Sequence, residues 1–146
     1  MANVTLAQAT TIVDAALAEG HARKFKPLTV AVLDAGGHLV ALKREDNSSL
    51  LRPQIAIGKA WGCLGMGFGG RELARRGEKT PVFFNVLSEL ADGRMVPVPG
   101  GVLIRNASGE IVGSVGISGD VSGNDEICAV AGIKAAGLAP DTGDPA

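Results

Sequence analysis

The chain has 146 residues, 46% of them hydrophobic and 3% aromatic with no tyrosine, and a formal net charge of -1. That length suits one domain with its own core, placed here over residues 1–146; the balanced charge offers no field to recruit nucleic acid or an anionic membrane, and the few rings no stacking platform for bases. The amino terminus shows no basic leader and no apolar run approaches the roughly 18 residues of a membrane span, so a cytoplasmic protein is expected.

Thr5 and Gln8 form a capping-box pattern, and Leu6, Ala9, Val13, Ala16 and Leu17 draw an apolar stripe on a helix to about Gly20 or a turn beyond. The basic segment His21–Lys26 suits the carboxyl end of a helix dipole, and Pro27 stops the helix. Leu28–Asp46 then reads as a hairpin, two alternating runs around Asp34-Ala35-Gly36-Gly37. It ends in Arg44, Glu45 and Asp46.

Asn47-Ser48-Ser49 supplies capping residues for a helix with Pro53 in its first turn. Inside it, Gly58, Gly62 and Gly65 recur at helical spacing, each costing about 1 kcal/mol of propensity relative to alanine, so something should pass close to that face. Packing on a sheet is the simpler cause, a ligand the alternative. Gly69-Gly70 breaks the chain before a short helix ending at Gly77, and Thr80-Pro81 opens another that ends near Gly93. Phe83 and Phe84 should anchor that segment to the core or to another subunit. Met95–Val98 could be a short strand. Pro99-Gly100-Gly101 opens a second hairpin that turns at Ala107–Glu110. A polar loop over Gly119–Asn124 leads into a helix opened by Asp125 and Glu126, two acids that suit its dipole, and closed by Gly137. Residues 138–146, rich in breakers, are expected to be flexible or to contact a subunit.

Short-turn strands imply antiparallel pairing, hence an α+β fold with one sheet of about five strands flanked by helices. Neither Gly-Gly turn has the spacing of a dinucleotide loop, so no nucleotide cofactor is expected. Cys63 and Cys128 share no metal-ligand spacing and read as buried thiols. The constellation best suited to chemistry joins Arg44 and Asp46 at the hairpin exit, Lys59 in an apolar helix, and Asp125 with Glu126. A Lys59 pointing at the hairpin exit would pair with Asp46 and bind an anion beside Arg44. His21 and His38 are the only histidines and the first candidates for an axial haem ligand. Met66 is a further candidate for iron.

VAVLDAGGHLVALKRED, AIGKAW and VPVPGGVLIRNASGEIVGSVGISGDVSGNDEICAVAG occur in the order and with the connections of a known family. Over nearly its whole length the chain resembles the GlcG/HbpS-like haem-binding family, related to the carboxyl-terminal domain of the PduO adenosyltransferase. The resemblance implies a profilin-like antiparallel sheet, assembly into homo-oligomers, and a pocket between the hairpins and the glycine-rich helix. Its motif positions here are Asp34, Gly37, Arg44, Asp46, Lys59, Gly100, Gly101, Asp125 and Glu126. The chain departs from the family pattern at Leu103 and at Trp61-Gly62-Cys63. The implied function is binding of a small ligand, haem or a related tetrapyrrole, with Arg44 or Lys59 pairing a propionate. The alternative is a lyase or isomerase on a small organic acid, with Arg44 clamping the carboxylate, Lys59 or Asp46 as acid or base, and the Gly100 and Gly101 amides receiving negative charge. A third possibility is an interaction module working through its oligomeric surface.

Overall fold

Residues 2–144 are described by a computed structural model. Thr5 caps helix α1 (Leu6–Ala22) as its spacing predicts: the Gln8 amide donates to the Thr5 hydroxyl at 3.1 Å, and Thr5 N–H donates to the Gln8 side chain at 3.0 Å. The buried face of α1 is Ala9, Ile12, Val13, Ala16 and Gly20, whereas Leu6, assigned to the stripe, is 65% exposed. Fully buried aliphatics such as Ile12 stabilise the fold by roughly 1.5–3 kcal/mol each.

Strands β1 (Thr29–Asp34) and β2 (Leu39–Arg44) form the first hairpin, with Gly37 in the left-handed region at φ 84°. The second hairpin is β3 (Gly101–Arg105) and β4 (Ile111–Ser118), and β5 (Ala139–Asp141) closes a sheet of order β2-β1-β4-β3-β5, antiparallel throughout. Between the hairpins lie α2 (Arg52–Met66), α3 (Gly70–Lys79) and α4 (Pro81–Leu90), and α5 (Ser122–Ala135) follows β4. This is the expected α+β architecture, a five-strand sheet with helices on both faces. Val30, Val32, Val102, Ile104, Val115 and Ile117 pack against α1 and α5 on one face. The other carries Cys63, Leu73, Phe84, Met95 and Leu103 under α2, α3 and α4.

The fifth strand is not the expected one. Met95–Val98 is irregular chain laid over α2, with Val96 N–H donating to Gly58 O at 3.3 Å. Pro97 and Pro99 remove the donors of one edge there, and the Val96 and Val98 amides of the other edge are spent on Gly58 O and Val96 O, so no ladder forms. The fifth strand comes instead from the tail. Leu103, Ile104 and Arg105 pair with Asp141, Pro140 and Ala139, and Thr142 O accepts from Arg71 N–H at 3.0 Å. The tail is therefore tied into this chain as far as Asp144, and residues 145–146 of the expected tail lie outside the described residues.

Helix boundaries shift at the caps. Leu51, not the Asn47–Ser49 run, is the N-cap of α2, because the Ser48 hydroxyl is engaged with Thr29 at 2.8 Å. Helix α3 runs through Gly77 to Lys79, and α5 begins at Ser122, three residues ahead of Asp125. Phe84 is buried in the core while Phe83 is 53% exposed.

Two of the three glycines at helical spacing meet a loop and not the sheet. A Cβ on Gly58 would stand 2.7 Å from Val96 Cγ2, and one on Gly62 3.2 Å from Met95 Cγ, so the proline-rich loop is what passes over them. The close approach of α2 to the sheet is made by glycines of the strands. A Cβ on Gly116 would stand 1.8 Å from Ala56 O, and one on Gly101 2.5 Å from Lys59 O. Thus β3 and β4 are bare where α2 crosses them, which brings Lys59 down onto the end of the sheet. Among the described residues no helix is long and apolar enough to cross a membrane.

Candidate functional site

Seated this close, Lys59 extends past the start of β3 instead of outwards. Its ammonium donates to Ile117 O at 2.8 Å and to Asp125 Oδ2 at 3.1 Å, and the side chain is 4% exposed. Gly100 makes the passage possible: its φ of 109° suits glycine, and a Cβ there would stand 2.8 Å from Lys59 Nζ. Asp125 accepts a second bond, from Asp120 N–H to Oδ1 at 3.0 Å. Burial pulls the Lys59 ammonium below its ordinary value against the attraction of Asp125, and burial raises the Asp125 carboxyl against the attraction of Lys59.

The adjacent Glu126 is held in the same manner. Arg71 Nε lies 3.0 Å from Oε1, to which it donates, and 2.8 Å from Oε2, where the angle gives no hydrogen bond. Consecutive acids of the first turns of α5 thus take one cation each from α2 and α3. They bind layers together, a role beyond the helix dipole.

Arg44 and Asp46 lie elsewhere. Arg44 is in register with Thr29, which is in register with Ser118, so Arg44 stands two strands, roughly 10 Å, from the strand whose carbonyl Lys59 holds. Among the described residues no hydrogen bond or ion pair joins Lys59 to Asp46 or Arg44. The pairing of Lys59 with Asp46 read from the sequence is therefore replaced by Asp125, because an internal partner 66 residues away along the chain is supplied by the fold.

What surrounds Arg44 is an open cleft of about 400 Å³ bounded by His21, Phe25, Pro27, Arg44, Glu45 and Asp46. Arg44 Nη1 donates to Ser48 O at 2.7 Å. Glu45 is fixed through Oε1, which accepts from Leu28 N–H at 2.7 Å, and its Oε2 lies 2.7 Å from His21 Nε2. The end of α1 and the hairpin exit are thereby clasped across the cleft. His21 was a candidate from its residue type alone. Phe25, Pro27 and Glu45 were missed as site residues, although the short connection from α1 through Pro27 to β1 is the signal that sets the helix end beside the hairpin exit.

Asp34 and Gly37 sit at the far end of β1, some five residues or roughly 17 Å from the cleft. Asp34 Oδ1 accepts from the Gly36 and His38 amides, each at 3.0 Å, and the His38 ring lies 3.3 Å away. Desolvation works to raise the Asp34 carboxyl, but the His38 and Gly36 amides and the imidazole together hold it below its ordinary value. This is turn chemistry. The candidate residues thus fall into three places: Asp34 and Gly37 in the turn, Arg44 and Asp46 in the cleft, and Lys59, Gly100, Gly101 and Asp125 in the interior with Glu126 beside them.

A sequence model of the family described as haem degrading protein HbpS-like matches residues 4–134. No curated protein matches the chain. Among solved structures, the chain is similar to a complex of PduOC with haem, at 22% identity and TM-score 0.84 over 97% of this chain and 99% of that one. It is also similar to the Klebsiella pneumoniae protein ORFY, at 21% identity and TM-score 0.84 over 94% and 92% of the two chains. A double mutant of Streptomyces reticuli HbpS aligns at 27% identity and TM-score 0.79, over 92% of this chain and 87% of that one.

Proposed function

The chain belongs to the HbpS-like family, described as haem-degrading, and from that membership we propose that it binds haem or a related tetrapyrrole in the cleft at the exit of the first hairpin. The observation that carries the reading is the composition of that cleft, where an imidazole, a phenyl ring and a guanidinium line one open space of about 400 Å³. These are the groups a flat, apolar, iron-centred dicarboxylate requires.

His21 is the metal-facing residue. With Nε2 held by the Glu45 carboxylate at 2.7 Å, Nδ1 is the nitrogen left for iron, the carboxylate orienting the ring as second-sphere acids do. Arg44 pairs a propionate through the N–H groups that its bond to Ser48 O does not use. Phe25 offers an apolar face. Haem held by these residues would supply a redox-active iron. Lys59 is committed to Asp125 and to the Ile117 carbonyl in the interior, so of the two cations considered for a propionate, Arg44 is the one proposed.

The small-acid lyase or isomerase needs the Arg44 clamp, Lys59 or Asp46, and the Gly100 and Gly101 amides at one site; Arg44 and Asp46 line the cleft whereas Lys59 and Gly100 meet in the interior, and no observation favours that reading. We place the protein in the cytoplasm, which the free thiols of Cys63 and Cys128 suit, as a homo-oligomer. Titration with hemin, read in the visible spectrum, tests the binding: saturable displacement of the Soret band at micromolar protein supports it, and a spectrum equal to free hemin overturns it.

A further inference from the structure

Helix α4 turns an apolar face to solvent. Val82 is 75% exposed, Phe83 53%, Val86 50% and Leu90 76%, while Phe84 on the opposite side is buried in the core. At the helical pitch these four residues span an arc of about 100°, the width of stripe that a helix ordinarily buries. The segment is two-sided: one face anchors the helix and the other has no partner among the described residues.

Charge about this helix has a net polarity. At its amino-terminal end stand Arg76 and Lys79 of α3 with Glu78 between them, and at its carboxyl-terminal end Glu89 and Asp92 with Arg94 beyond, all exposed, so cations exceed anions at one end and anions exceed cations at the other; Arg76 is also paired within α3 to Glu72. Next to Phe83 is an apolar depression of about 270 Å³ walled by Met66, Phe83 and Phe84 and rimmed by Arg76, Lys79 and Thr80.

We propose that α4 docks on α4 of a second copy of this chain, antiparallel, about a two-fold axis passing near Val86. That arrangement places Val82 opposite Leu90 of the second copy, delivers that leucine to the depression beside Phe83, and brings Lys79 and Arg76 to the acidic end of the other helix. Each contact occurs twice, as a two-fold requires. A parallel pairing would set basic end against basic end and acidic end against acidic end. The charge pattern therefore selects both the occupant and its direction, and the surface is self-complementary in shape and sign. The cleft at the hairpin exit takes no part, so this pairing stands independently of haem binding.

Sedimentation of the full chain without added hemin tests it, comparing wild type with Val86→Glu, Lys79→Glu, Glu89→Lys and the combined Lys79→Glu/Glu89→Lys. The wild type should sediment with an even number of subunits. Val86→Glu and each single reversal should lower the mass by half at concentrations where the wild type is assembled, and the combined reversal should restore it. All altered side chains are exposed, so thermal unfolding should show folded protein throughout. A monomeric wild type, an unchanged mass for Val86→Glu, or failure of the combined reversal to recover what each single reversal loses would overturn the proposal.

Discussion

Lys59 Nζ and Asp125 Oδ2 lie 3.1 Å apart inside the protein, joining the helix on one face of the sheet to the start of the helix on the other. Desolvation draws each group towards its neutral form, and the opposite charge of its partner works against that draw. Lys59→Met leaves the Asp125 carboxylate buried beside an apolar chain and should cost about 3–5 kcal/mol, the ordinary penalty for breaking a buried pair. Lys59→Met/Asp125→Asn should lose clearly less than the sum of the single changes. Urea unfolding of the four proteins measures this, and additivity would show that the pair is not coupled.

Gly100 and Gly116 serve the same lysine by different means, and their alanine variants should respond differently. Gly100→Ala meets both a positive φ of 109° and the Lys59 ammonium. It should cost roughly 1–3 kcal/mol from the backbone alone, with a further loss that disappears when Lys59 is also shortened to alanine. Gly116→Ala strikes Ala56 O, which belongs to helix backbone and cannot give way. Its loss should be larger and should persist whatever residue occupies position 59. Denaturant midpoints of the single and double variants separate the two cases.

Asp120 predicts the form of the acid limb of stability. The Lys26 and Val121 amides and the Asn124 side chain hold its carboxyl below the ordinary value of 3.8. A carboxyl depressed in the folded state contributes stability that is present above its unfolded value and is lost as pH falls through the folded one. Asp120→Asn should therefore be less stable than wild type at neutral pH, with a gap that narrows once pH falls below 3.8. A gap constant down to the lowest pH at which the protein stays folded would contradict this.

Both thiols should be silent in the native protein. Burial, aided by Asp141 for Cys63 and by Asp125 and Glu19 for Cys128, pushes each up to about 12, so neither is ionised near neutrality. A disulfide-exchange reagent should titrate none of them in buffer and both in denaturant. Rapid reaction of either thiol in the folded state would show that its layer opens.

The first hairpin, the Thr5 capping box and the order of elements are legible because each is written within a few residues: turn glycines, an alternating run, a Thr and Gln three apart. What the sequence hid depends on partners far along the chain. Lys59 looks like a surface lysine or an anion ligand until Gly116 and Gly101 are known to let its helix sink and Asp125 to lie beyond. Gly58 and Gly62 suggest a close neighbour correctly, but the neighbour is the Arg94–Val96 loop, which no local pattern indicates. The strand Ala139–Asp141 is three residues long with a proline in its centre, and its place at the sheet edge comes from β3. For the candidate site, the hairpin exit was legible from its charges. The contribution of α1 was not, since it depends on how Pro27 sets the helix end against Glu45.

The central claim is that the cleft between α1 and the hairpin exit holds a haem through His21 and Arg44. Hemin titration of wild type, His21→Ala and Arg44→Ala, followed at the Soret band, tests it most directly. Wild type should bind saturably with a displaced Soret band. His21→Ala should bind with the band at a different position, as loss of an axial nitrogen demands, and Arg44→Ala should keep the wild-type position with an affinity weaker by about tenfold, the loss of a charge-assisted contact of about 1.4 kcal/mol. A His21→Ala spectrum and affinity identical to wild type would contradict the account.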